Sequence, residues 1–389
     1  MTDLINPSEY MNKEDQADWP LASDTWDHRE IEALQSVIDT RMFTMGETVE
    51  RFEESFCQTF GFKHAVMVNS GSSANLLMVA AAFEMGWLQR GDKVIVPAVG
   101  WSTSYFPFMQ YGLELVFVDV EPDTWNIDPS LVDMAITSDV KAILGINLLG
   151  NPCTFSRLLP ICEEHKLLLL EDNCESMGAS YDSKYCGGIG KMGSFSTFFS
   201  HHIQTMEGGI IVTEDEEVYH TLKSLRSHGW TRGTKWYSGE PFEFLTMGYN
   251  VRPGELNAAV GLVQLDKWDA FENNRLRNAA AFEKAFDSSK WRLQKTSDKG
   301  AHSYFGFGMV FDSQKRRDKA RDMLVENNVG VRPIVTGNFV NQPVMAKVGI
   351  TGNFPVADEL DNQGLFVGNH PQDLVQDILL VADNFKYRI

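Results

Sequence analysis

From His64 onward the chain alternates short apolar runs with longer amphipathic stretches, and few folds can be written that way. The runs are His64–Val68, Lys93–Pro97, 115–119, 141–147 and 167–172, and helical patterns lie between them, the first leading from SGSSAN to about Glu84. Strand-like runs separated by helical stretches predict a predominantly parallel sheet with helices on both faces, since parallel neighbours need a crossover long enough to hold a helix. In such sheets ligands sit outside the carboxyl ends of the strands. The polar motifs of this chain fall at those ends.

Ahead of the alternation, residues 27–40 and 47–60 read as two amphipathic helices split by a turn at 43–46, and residues 1–18 read as an N-terminal arm. After about Ala270 the pattern changes. A helix, a strand-like run at 303–311, a helix at 314–327 and a last helix near the end predict a smaller α+β domain over 271–389, against a large domain over 19–270. A 389-residue chain that is 43% hydrophobic can bury such a pair of cores. Its 53 acidic and 34 basic residues leave a formal charge of −19, which argues against a nucleic-acid surface and requires any anionic ligand to be caught by local groups. Cys57, Cys153, Cys162, Cys174 and Cys186 show no CxxC spacing, so neither a disulfide framework nor a metal site is expected. The opening residues are polar and acidic rather than basic then apolar, and no stretch is long and apolar enough to cross a bilayer. A cytoplasmic protein without membrane contact is expected.

NSGSSANLLMVAAA, residues 69–82, sets small residues between a strand and a helix start, where backbone N–H groups and hydroxyls face an anion at the positive end of the helix dipole. It matches neither the GxxxxGK[ST] loop nor the GxGxxG turn, which disfavours ATP and NAD; a simple helix cap is the plainer alternative. VPAVGWSTSYFP, residues 96–107, puts Trp101 just beyond a strand end, able to stack on a flat heterocycle or to fill the core. LLLLEDNCESMGA, residues 167–179, ends an apolar strand in Glu171, Asp172 and Glu175, and a carboxylate there can bind a protonated ring nitrogen. A solvated acidic strand end is the alternative, and it sits poorly with four leucines that imply burial. SFSTFFSHHIQTMEGGIIVT, residues 194–213, carries Ser196, His201 and His202; on an extended chain adjacent histidines point opposite ways, so one at most faces a given site. GYNVRPGELNAAVGLVQL, residues 248–265, holds Asn250 and Arg252 in a turn, and RPIVTGNF, residues 332–339, adds Arg332. A guanidinium fork matches a substrate carboxylate, and a surface ion pair is open to either arginine.

Taken in this order, these segments resemble the DegT/DnrJ/EryC1 family of sugar aminotransferases, pyridoxal-phosphate enzymes of fold type I, from about Trp19 to the C-terminus. The resemblance implies an α/β, aspartate aminotransferase-like fold with a mainly parallel large-domain sheet and a smaller α+β C-terminal domain. It implies that Gly71, Ser72 and Ser196 hold the cofactor phosphate, that Trp101 stacks on the ring, that Asp172 pairs with the pyridine nitrogen and that Glu175 sits near the ring hydroxyl. Asn250 would reach the phosphate from a neighbouring subunit, so a homodimer with shared active sites is implied, and Arg252 and Arg332 are the candidates for substrate. Counting back from Glu207, Gly208 and Gly209, the family's lysine falls on His201. Imidazole can move a proton near neutral pH but cannot form a stable Schiff base with an aldehyde, so the cofactor, pyridoxal 5'-phosphate or pyridoxamine 5'-phosphate, is expected without a covalent anchor.

WPLASDTW, SHHIQTMEGG, HGWTR, GYNVRP, RPIVTGNF and GLFVGNH are similar to a lysine-less branch of that family. The branch contains colitose-type 3-dehydratases of a nucleotide-linked 4-keto-6-deoxyhexose, which use glutamate to regenerate pyridoxamine phosphate. It is read as including a transaminase that forms an 8-amino-3,8-dideoxy-manno-octulosonate from a Kdo-type sugar acid oxidised at C8. Two activities are therefore expected in competition, both in lipopolysaccharide sugar biosynthesis: transfer of the amino group of glutamate to a keto-sugar, or 3-dehydration. The parent family's chemistry and a connection at 233–247 that is shorter than in the dehydratase tip the expectation narrowly to amination. A catalytically dead binding homologue is disfavoured, because the phosphate, ring and nitrogen contacts are all retained.

Overall fold

The computed structural model describes residues 17–389, so the arm expected at 1–18 lies almost wholly outside the described residues. Helix α1, His28–Thr40, starts at a capping box in which the Asp27 side chain accepts from Arg29 N and Glu30 accepts from Asp27 N, each at 2.8 Å. Helix α2, Glu47–Phe60, places Val49, Phe52, Phe56 and Phe60 on one face, and that face packs with Phe62, Phe195 and Ile210.

The alternation then runs β1 His64–Val68, α3 Gly71–Glu84, β2 Lys93–Pro97, α4 Ser102–Gln110, β3 Glu114–Val118, α5 Pro129–Ala135, β4 Val140–Ile146, α6 Phe155–His165 and β5 Leu168–Asp172. A small hairpin follows, β6 Ser180–Tyr181 and β7 Lys184–Tyr185, and then β8 Met192–Ser196, β9 Gly209–Thr213 and α7 Glu216–Arg226. The large sheet has the order β1-β9-β8-β5-β4-β2-β3. The pairs from β8 through β5, β4 and β2 to β3 are parallel, as the alternation predicts, and β9 is antiparallel to both neighbours. The exception has a local cause. Residues 197–208 join β8 to β9 without a helix, so the chain turns straight back instead of crossing over.

Helices α8, Glu255–Asp266, and α9, Trp268–Ala285, lead to a second, antiparallel sheet. Its strands are β10 Trp291–Leu293, β12 Gly306–Phe311, β13 Val331–Arg332 and β14 Gly364–Gly368, in the order β10-β12-β14-β13, while β11, Gly300–Ala301, joins the β6–β7 hairpin. Strand β14, in the segment GLFVG, has no counterpart in the sequence reading; all five of its residues are buried between β12 and β13. The run read as a strand from residue 303 enters the sheet only at Gly306. Before that, Ser303 N donates to Gly150 O and Phe305 N to Leu149 O, both at 2.9 Å, which ties residues 302–305 to the turn that follows β4 instead. Trp19 belongs to this second core: its indole donates to Gly368 O at 2.7 Å and its ring meets Phe282 and Phe307 edge-on. Among the described residues no helix is long and apolar enough to cross a membrane.

Candidate active site

At the carboxyl ends of β2, β4, β5 and β8 lies a cavity of about 420 Å³. Its walls bring together Gly71, Ser72, Trp101, Asp172, Glu175, Ser196, His201 and Arg332 from the sequence-predicted set. They do not include Asn250 or Arg252.

One end of the cavity is built from the start of α3. Ser70 caps the helix, its hydroxyl accepting from Ser73 N at 3.1 Å, and Ser72 donates to the Thr103 hydroxyl at 3.0 Å. Gly71 is required by contact: a Cβ there would stand 2.7 Å from Ser196 Cβ and 3.0 Å from Cys174 Sγ. The first turn of α3 can therefore abut the end of β8, and its N–H groups together with the Ser72 and Ser196 hydroxyls form a cradle for an anion.

The other end is built around Asp172, which is 4% exposed at the end of β5. One carboxylate oxygen accepts from Asn75 Nδ2 at 2.8 Å and Ser104 Oγ at 2.7 Å, and the other from Cys174 N at 3.0 Å. Ser194 in turn donates to Asn75 Oδ1 at 2.6 Å, fixing the amide so that its N–H₂ faces the aspartate. All of these partners are neutral, so the buried anion still lacks a counter-charge, which a protonated ring nitrogen would supply. Trp101 stands at the N-cap of α4 and is 56% exposed, so it does not fill the core; its ring lines the cavity. Of the acidic cluster, Glu171 points away from the cavity, where its carboxylate accepts from the N–H groups of Gly187, Ile189 and Gly190. Glu175 remains at the wall, half-buried, its carboxylate accepting from Leu149 N at 3.0 Å. Burial lifts its pKa to about 7, against the Leu149 N–H and with added repulsion from Asp172.

The two adjacent histidines separate. His201 lines the cavity, its ring packed against Phe198 and Phe305 at centroid distances of 6.0 and 5.2 Å, and its Nδ1 has no hydrogen-bond partner. His202 is 1% exposed and turns into the core, with Nε2 at 3.3 Å from Ser303 O. The divergence comes from a turn, His201 N donating to Phe198 O at 2.9 Å, rather than from the extended chain that the sequence suggested. Burial first, and then the Arg275 charge, hold His201 down at about 4. Asn250 is exposed and accepts from Arg252 Nε at 3.0 Å, beside but outside the cavity.

Sequence reasoning missed Asn75, Ser104 and Ser194, which orient Asp172, and Phe305, which backs His201. Asn75 was visible in principle, being about one helical turn past Gly71 in the quoted motif. Phe305 had no local signal. The cavity fits the cofactor implied by the resemblance on three counts: a glycine whose Cβ would close the anion cradle, an exposed indole at the wall, and a buried carboxylate without a cation.

The sequence matches the DegT/DnrJ/EryC1/StrS aminotransferase family over residues 24–385. It is 47% identical over 378 residues to a GDP-4-keto-6-deoxy-D-mannose 3-dehydratase of Yersinia pseudotuberculosis, covering 92% of this chain and 96% of that one. A solved structure of a GDP-4-keto-6-deoxymannose-3-dehydratase, a histidine-to-asparagine variant with bound GDP-perosamine, superposes with a TM-score of 0.90 at 45% identity, over 95% of this chain and 100% of that one. Another, with a trapped PLP-glutamate geminal diamine, gives 0.89 at 46% identity, over 94% and 99%.

Proposed function

The chain belongs to the DegT/DnrJ/EryC1/StrS aminotransferase family and is a pyridoxal-phosphate enzyme of fold type I, and on that premise we propose that it is a 3-dehydratase of a GDP-linked 4-keto-6-deoxyhexose, with glutamate as the donor that regenerates the pyridoxamine form. One observation carries the reading: a histidine stands at the cavity wall of a chain that is 47% identical, over nearly its whole length, to a 3-dehydratase. The narrow preference for amination gives way. It rested on the parent family's chemistry, which is coarser support than 47% identity to a 3-dehydratase, and on the short connection at 233–247, whose residues do not line their own subunit's cavity.

When bound, the cofactor would carry the amino group of glutamate and supply an electron sink for the sugar carbons beside the amine. The chain's own groups do the rest. The α3 N-terminus, Ser72 and Ser196 bind the phosphate, Trp101 covers a ring face, and Asp172, held by Asn75, Ser104 and Cys174 N, keeps the proton on the ring nitrogen. His201 takes and returns the proton at carbon. Its imidazole is neutral above about pH 4, so the base form is the resting form, and with no lysine in its place the cofactor remains exchangeable. Glu175, close to half-protonated near pH 7, faces the ring hydroxyl in this reading.

Arg332, on the wall, takes a substrate anion. Asn250 and Arg252 are assigned to the cavity of a second copy, which makes the working unit a homodimer with shared sites. Their place outside their own cavity supports this, as do the exposed Phe242, Phe244, Leu245 and Met247 just before them.

The test is to incubate the protein with GDP-4-keto-6-deoxymannose, glutamate and pyridoxal phosphate and to weigh the sugar product, with a Kdo-type sugar acid oxidised at C8 in a parallel reaction. Loss of one oxygen atom from the first sugar is expected. Replacement of a carbonyl oxygen by an amine on either sugar, without that loss, would make the protein an aminotransferase.

A further inference from the structure

Outside the residues that line the cavity lies a buried cluster that the proposed reaction leaves unused. Arg275 of α9 is 2% exposed, and its guanidinium donates to Asn369 O at 2.6 Å and Tyr304 O at 3.4 Å, while its Nε has no partner. Among the described residues it makes no ion pair. A buried cation without an anion is costly and seldom kept without a use.

Its surroundings suggest the use. The Tyr304 carbonyl that receives Arg275 lies in segment 302–305, whose Ser303 carbonyl meets His202 and whose Phe305 ring packs on His201. His302 stacks on Tyr304 at 4.0 Å and bonds Gln294 Oε1, and both ring nitrogens of His370, next to Asn369, are buried without partners. All four histidines are held well below their ordinary value, burial being the first cause in each and the Arg275 charge contributing at His201, His202 and His370. On its cavity side His201 shares the wall with Asp172, Glu175, Glu207 and Arg332. Bound phosphate and carboxylate groups add negative charge there, which favours the imidazolium. A fixed cation outside the cavity opposes that drift.

We propose that Arg275 is a positioning residue for the reaction, whose buried charge keeps His201 in its base form while its hydrogen bonds hold segment 302–305 against that ring. This rests on the reading of His201 as the proton-transfer base. The charge makes the imidazolium a better acid as well, so a proton taken from one carbon is readily returned to another.

The test combines two readouts on the full-length protein with pyridoxal phosphate: histidine ring NMR titration, with His201 assigned by its loss in His201→Asn, and the pH dependence of the glutamate half-reaction. In the wild type His201 is expected to stay neutral from pH 8 down to about pH 5. Arg275→Gln, which keeps donors for the two carbonyls but loses the charge, is expected to raise the His201 midpoint and the acidic limb of the rate together by on the order of one pH unit. Arg275→Lys is expected to restore both. A folded Arg275→Gln protein with both values unmoved overturns the proposal, and so does a wild-type midpoint above about pH 5.5. Should Arg275→Gln not fold, Arg275→Lys decides, since a shift there as large as one pH unit would show that charge is not what matters. Full turnover by His201→Asn would sink the reading of the base instead, and the titration of His201 in the Arg275 variants would still report on the cation.

Discussion

The rim of the large sheet and the surface segment at residues 230–247 are both rich in aromatic and polar side chains, yet they are held in opposite ways. At the rim, Asp172, Asn75, Ser104 and Ser194 are all buried, and each oxygen and amide has a named partner. In the segment, Trp230 stacks on Phe242 and Phe244 at 5.8 and 6.3 Å and donates to Pro241 O, while Phe242 remains 76% and Met247 91% exposed. A buried polar group must be satisfied inside the subunit, because leaving it unpaired costs about 1–3 kcal/mol, so the rim admits few alternatives. Exposed aromatic groups carry no such demand, and a contiguous patch of them marks a surface made for another molecule. In the proposed reading, chemistry is placed by the rim and assembly by the segment.

The sharpest way to break that division is at His201. His201→Asn is expected to lower the rate of the glutamate half-reaction by about 10²–10⁴ with little loss of fold, and His202→Asn to act on stability instead. A crippled His202→Asn enzyme beside an active His201→Asn one would reverse the assignment. The same position predicts that borohydride treatment of the cofactor-loaded protein, without substrate, leaves its mass unchanged.

Acid should unfold the buried seam before it touches the segment. His302 and His370 have folded values of about 3 against an ordinary 6.5, so they bind fewer protons folded than unfolded, and the stability they contribute above pH 6.5 is lost as the pH falls towards 3. At pH 5 each costs about 2 kcal/mol. Urea midpoints at pH 8, 6.5 and 5 measure this, and equal midpoints at all three would contradict neutral burial.

Asp172→Asn removes the charge while keeping the shape, and turnover should fall about tenfold to a hundredfold, the worth of a charge-assisted hydrogen bond, with cofactor affinity less affected. Stopped-flow absorbance of the glutamate half-reaction would show it, and an unaltered rate removes Asp172 from its role. Smallest of all, Phe242→Ser should change the stability of a single subunit by no more than about 0.5 kcal/mol yet shift sedimentation towards the monomer. Should it destabilise the fold strongly and leave association intact, the contrast between rim and segment fails.

Reading the chain without coordinates reached the architecture, because β-runs and helices differ in period and a parallel order follows from the crossovers between them. It also picked out Gly71, Ser72, Trp101, Asp172, Glu175, Ser196 and His201, which line the cavity, since each stands in a short segment at a strand end where the fold puts ligands. The histidine in place of the family's lysine, and with it the expectation of a non-covalent cofactor, is written in one position of the sequence.

Other properties depend on pairs far apart in the chain. Which histidine faces the cavity rests on one turn and on Phe305, about a hundred residues away, whose strand is delayed because Ser303 and Phe305 bond to the 149–150 turn. That Asp172 is a buried anion among neutral donors required Asn75, Ser104 and Ser194 to converge from α3, α4 and β8. Arg275 is one more charged residue in a helix until the fold closes around it. Local pattern sets which elements form, because it acts through the backbone period; only packing sets which charges lose water, and loss of water is what gives a site its chemistry.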